Sequence, residues 1–186
     1  MGVRTASDVD ARIEAIEEAF VTHWSVFGKW SRGALREEDG VLWFETPIPY
    51  LPYNMVVRTR IPDTAEAEAV IDRVASGFRA RSVPYLWVVR PTDRPADLDQ
   101  RLARQGLDLV ETATGMDLDL ERWQAQAEPM SDATIVAVDH DPEGVRDYVE
   151  LMRTYWSIPA SGQELLDQFN GEFSGDRSPG IRLIAR

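Results

Sequence analysis

The chain has no cysteine, a single lysine (Lys29) and two histidines. Without cysteine there is no disulfide framework, no thiol nucleophile and no thiolate metal site. His23 and His140 are isolated, and neither a catalytic triad nor a zinc site can be built from them alone. No apolar run approaches the roughly 20 residues that cross a bilayer, so no membrane partner is expected. Met1 to Ser7 lacks the apolar stretch of a secretory signal. A cytoplasmic location is the resulting expectation. Positive charge is also scarce, since 20 basic against 32 acidic residues leave a formal net charge of −12. Nucleic-acid binding needs a concentrated basic face to neutralise phosphate, and this balance argues against it. The acidic surface serves solubility and mildly favours a cationic small molecule.

What is present is ordinary for a globular protein: 186 residues, 44% hydrophobic and 28% charged. That length suffices for one well-cored domain, or for one domain plus part of another. Val9, Ile13, Ile16, Phe20 and Trp24 recur at helical spacing behind Ser7 and Asp10, predicting a helix over 7–27. A charged loop with Gly28, Gly33 and Gly40 follows, then strands at 41–45 and 54–61 separated by Pro47, Pro49 and Pro52. Asp63 or Thr64 is placed to cap a helix with an apolar face of Ala67, Val70, Ile71, Val74 and Phe78. A strand at 85–89 comes next, then a short helix with Leu98 and Leu102 inward and Gly106 as its stop. Leu107 to Glu111 and Gly115 to Leu120 alternate as an antiparallel hairpin.

A polar linker over 121–132 separates this first unit, 1–120, from a second, 133–186. The second unit reads as a strand at 134–138, a helix from Pro142 to about Trp156, a shorter helix with Leu165, Leu166 and Phe169, and a terminal strand from Ile181.

The element order over 41–120, with Leu98, Leu102, Gly106 and Leu107 followed by Glu111 to Met116, resembles the C-terminal half of a GNAT acyl-CoA-dependent N-acetyltransferase. The stretch 134–186 resembles the N-terminal half of the same fold. The chain is thus similar to a tandem GNAT protein with a degenerate first unit and a truncated second. The fold class implied is α/β (α+β), a mixed, mainly antiparallel sheet flanked by helices. The resemblance implies acetyl-CoA as cofactor and a small primary amine as acceptor. In the family, the cofactor pyrophosphate rests on backbone N–H groups of a glycine-rich turn at a helix N-terminus. The equivalent turn here, Arg58 to Thr64, has no glycine; Pro62 removes a donor and Asp63 opposes phosphate, while Arg58 and Arg60 offer only side chains. No cofactor-binding or catalytic residue is assigned. The second unit ends before a cofactor loop, so the chain alone is expected to be inactive. A non-catalytic ligand-binding or assembly module is the alternative that the missing loop supports.

The resemblance places an acceptor-pocket wall at Tyr155, Trp156 and Ser157, whose aromatic rings suit a cationic amine. The other reading is that these residues end an amphipathic helix. Asp139, Asp141, Glu143, Gly144 and Glu150 approximate a calcium loop, but Asp141 capping a helix that starts at Pro142 is the simpler account. No metal site is assigned. The aromatic cluster from Trp24 to Tyr53 forms either a ligand pocket, with Glu45 or Asn54 as polar contacts, or a core. The two units together hold most elements of one GNAT-like sheet in permuted order. The strands at 134–138 and 181–186 are therefore expected to complete the first sheet or to pair with another chain as a homodimer.

Overall fold

The computed structural model describes residues 6–117, 134–178 and 181–185. The chain divides into two compact units, Met1–Asp117 and Leu118–Arg186, both mixing helix and strand. The expected linker at 121–132 lies outside the described residues.

In unit 1 the order is α1 (Ala6–Ser25), β1 (Ala34–Glu38), β2 (Val41–Glu45), β3 (Met55–Thr59), α2 (Ala67–Ala80), β4 (Leu86–Trp87) and α3 (Leu98–Arg104). The strands lie side by side in sequence order; β1, β2 and β3 are antiparallel, and β4 joins β3 in parallel after the α2 crossover. Residues on a strand alternate between faces, and here the alternation divides the core in two. Val41, Trp43 and Val56 pack with Val70, Ile71, Val74 and Phe78 of α2 and with Leu98 and Leu102 of α3. Leu42, Phe44, Met55 and Val57 pack with Val21, Phe20 and Trp24 of α1. The central strands are covered on both faces, which is why they read as continuous apolar runs.

The aromatic cluster is core. Phe44 is fully buried and stacks on Phe27, which in turn stacks on Trp24 at 5.3 Å. Asn54, also fully buried, accepts from the Thr46 N–H and donates to the Ile48 carbonyl, and so ties the proline loop down. Glu45 accepts from the Trp43 indole and pairs with Arg36. Both polar residues have internal structural roles.

Several expectations are corrected. Residues 34–38 form a strand where a loop is expected. The hairpin over 107–111 and 115–120 is not formed at 107–117, which carries neither helix nor strand, while 118–120 lie outside the described residues. Val9, expected on the inner face of α1, is 44% exposed, whereas Glu17 on that helix is buried and receives the Thr92 N–H and hydroxyl. The helix α2 begins three to four residues after the expected caps, because Asp63 caps a separate turn ahead of it.

Unit 2 comprises β5 (Ile135–Ala137), α4 (Pro142–Tyr155), α5 (Gln163–Glu172) and β6 (Leu183–Ala185). Its core gathers Val138, Val149, Ile158, Leu166, Phe169 and Ile184. Asp141 accepts the Glu143 N–H at 3.1 Å, with Pro142 at the first helical position, as a cap requires. β5 and β6 pair antiparallel with each other in a sheet of their own. The expectation that they complete the first unit's sheet is thereby overturned: the terminal strand takes its partner from within its own unit. Among the described residues no helix is long and apolar enough to cross a membrane.

Candidate functional site

β3 and β4 run parallel, and the segments leaving their carboxyl ends are the places where a parallel pair opens a crevice. Past Thr59 the two segments stay linked: the Arg94 N–H donates to the Thr59 carbonyl at 2.8 Å and the Ile61 N–H donates to the Arg94 carbonyl at 3.3 Å. Arg60 and Arg94 thus stand opposite each other in a parallel bridge. Beyond this bridge lies an open cleft of about 510 Å3, lined by Arg60, Ile61, Pro62 and Thr64 on one side and by residues 94–97 on the other.

Behind the cleft the backbone is fixed by Asp93, whose buried carboxylate accepts the Thr59 N–H, the Arg90 N–H and the Arg90 guanidinium. On its rim, the Arg101 guanidinium donates to Asp97 and holds its carboxyl below the ordinary carboxylate value. That charge is matched inside the protein.

The turn from Arg58 to Thr64, which leads into the residues before α2, is the one to which the GNAT resemblance would assign the pyrophosphate. Several of its backbone donors are spent internally. The Arg60 N–H donates to the Gly40 carbonyl at 2.6 Å, and Pro62 has no N–H to offer. The Ala65 N–H donates to the Asp63 carboxylate at 2.8 Å, the Glu66 N–H to the Asp63 carbonyl and the Ala67 N–H to the Thr64 carbonyl. The Asp63 carboxylate sits where an anion at this turn would sit. These residues do not fit a pyrophosphate held by backbone N–H groups, and no chemistry of acetyl-CoA is derived from them.

In unit 2, Tyr155, Trp156 and Ser157 form the stop of α4. The Ser157 N–H donates to the Thr154 carbonyl and the Ile158 N–H to the Arg153 carbonyl, with Ser157 left-handed at φ 53°. This double closure is the Schellman pattern, and the buried Ile158 supplies its hydrophobic contact. Tyr155 is 75% exposed and meets the Trp156 ring edge-on at 5.1 Å. The Trp156 Nε1 is buried and has no acceptor among the described residues. The three residues are consecutive, and the helix stop alone accounts for their backbone.

The near-calcium loop is differently employed. Asp139 accepts from the Ser178 hydroxyl at 2.7 Å, from the Arg182 N–H at 2.7 Å and from the Arg182 guanidinium at 2.9 Å. Among the described residues no three acidic or histidine side chains are grouped to hold a metal ion.

In the sequence Arg60 stands beside Arg58 as an offer of side-chain contacts, whereas residues 94–97 carry no such signal. The signal was non-local: nothing in the spacing of 94–97 says that they face 60–64 until β3 and β4 pair. No protein-family model, curated protein or solved structure matches the chain.

Proposed function

We propose that this chain works as a non-catalytic, small-ligand-binding module on a GNAT-like scaffold. The observation behind this reading is the turn at 58–67, where the N–H groups of Arg60, Ala65, Glu66 and Ala67 go to Gly40, Asp63 and Thr64, and where Pro62 has no N–H. An oxyanion there would have to displace the Asp63 carboxylate and repel it as well. The cleft beside the turn is nevertheless concave, with apolar walls and a few polar groups at its rim, the ordinary composition of a small-molecule site.

A second reading is N-acetyl transfer from acetyl-CoA to a small primary amine. It is favoured by the β3–α2–β4 parallel crossover beside an antiparallel meander, part of the element order on which the GNAT resemblance rests; the closing strand pair of that order is not formed at 107–117. Calorimetric titration with acetyl-CoA, joined to a thiol-release assay over a panel of small primary amines, separates the two. The module reading expects neither binding nor thiol release. Binding at micromolar concentration overturns it and returns the turn at 58–67 to a cofactor role.

A further inference from the structure

Among the described residues most arginines of unit 1 are paired with a carboxylate. Nine of them stand within 4.0 Å of a carboxylate. Arg60 and Arg94, side by side at the cleft, have no such partner among the described residues. Among the described residues the Arg60 guanidinium reaches only the Thr92 hydroxyl, at 3.5 Å, the outer limit of a hydrogen bond. Arg94 donates to the Asp93 carbonyl at 2.7 Å and to the Pro91 carbonyl at 3.4 Å. Carbonyl oxygens orient a guanidinium without cancelling its charge, and they leave further N–H donors of the fork unspent. In a chain of net charge −12, with carboxylates in excess, two uncompensated cations on one concave surface are a specific arrangement. The one carboxylate on the cleft wall, Asp97, is engaged by Arg101.

We propose that this cleft binds a small oxyanion, a carboxylate or a phosphate, through the side chains of Arg60 and Arg94. The short apolar body of the ligand lies against Ile61 and Pro95. The inference rests on the ligand-binding reading above and names its ligand class. Guanidinium forks match the planar carboxylate and the phosphate face, and they supply donors beside a turn that has spent several of its own. An apolar floor beside the charges gives selectivity for an organic anion over a bare inorganic one.

The test is a thermal-shift and calorimetric titration of the full chain with inorganic phosphate, butyrate and butyl phosphate, run on the wild type, Arg60→Gln and Arg94→Gln. Both arginines are exposed, and the ligand-free melting temperatures of the variants are expected to equal that of the wild type. A saturable shift is expected with butyrate or butyl phosphate, weakened about tenfold in each variant. Butyrate binding identifies a carboxylate ligand, and butyl phosphate binding a phosphate ligand. Absence of binding by all three anions at about 10 mM overturns the inference, as does binding of equal strength in wild type and variants. An acetyl-CoA arm keeps the two proposals apart. Acetyl-CoA binding that survives in both variants overturns the module reading alone, while failure of the anions without acetyl-CoA binding overturns this inference alone.

Discussion

The carboxylate of Asp139 collects hydrogen bonds from Ser178 and Arg182, which follow it by 39 and 43 positions, and so ties the end of unit 2 to its first strand. Both charged partners are deeply buried, with side chains 8% and 11% exposed. Burial pushes the Asp139 carboxyl up. The Arg182 N–H, the Ser178 hydroxyl and the Arg182 charge outweigh it and leave the pKa below the ordinary 3.8. A group whose pKa is lower folded than unfolded adds stability that is complete above the unfolded value and is lost as pH falls through the folded one. Unit 2 is therefore expected to lose protection against amide exchange at Val136 and Ile184 as pH drops below about 4. Asp139→Ala is expected to cost about 2–3 kcal/mol at neutral pH and to remove this part of the acid dependence. Unchanged exchange at those two amides in the variant would sink the assignment, because Arg182 would then be indifferent to its partner.

Among the elements, helices were the most legible, since their apolar residues recur where the structure buries them. The faces of α2 and α3 follow the spacing from Val70 to Phe78 and from Leu98 to Leu102, and Gly106 stops α3 with φ at 80°. β1 was illegible by hydrophobic pattern because Leu35, Arg36, Glu37 and Glu38 are all exposed. Its signal was the turn: Asp39 and Gly40 both have positive φ, 48° and 80°, the combination of a two-residue hairpin. A Cβ at Gly40 would lie 2.2 Å from the Arg60 carbonyl oxygen, so the same glycine also admits the cleft strand. At 107–117 the alternation is present, but Leu107 alone of its large apolar residues packs on the core; Leu109 and Met116 are each 85% exposed. A strand pattern states which face would be buried, not that a partner exists. Leu109→Ala is accordingly expected to change stability by less than about 0.5 kcal/mol, against about 2–4 kcal/mol for Leu102→Ala in the core. Denaturant midpoints of the two variants check this. A loss at Leu109 comparable to that at Leu102 would mean that 107–111 is a packed strand after all.

At the scale of the whole molecule, charge was legible in sum but not in arrangement. The excess of 32 acidic over 20 basic residues is plain from the sequence, yet only the fold shows how many arginines of unit 1 are matched by carboxylates. The cleft was invisible for the same reason, because Arg60 and Arg94 become neighbours only through the parallel bridge. This arrangement bears on nucleic acid more strongly than net charge does. Affinity for a duplex grows with the number of phosphates neutralised, and each contributes about −0.9 to the slope of log K against log salt. A surface whose uncompensated cations in unit 1 include one adjacent pair can engage about two phosphates there, giving a slope no steeper than about −2. The surrounding excess of negative charge opposes even that contact. Anisotropy of a labelled duplex is therefore expected to show no complex at about 10 μM protein in about 150 mM salt. A complex with a slope steeper than about −4 would require a basic face of four or more phosphate contacts, and would refute both the exclusion of nucleic acid and the view that most described arginines of unit 1 are spent on its own carboxylates.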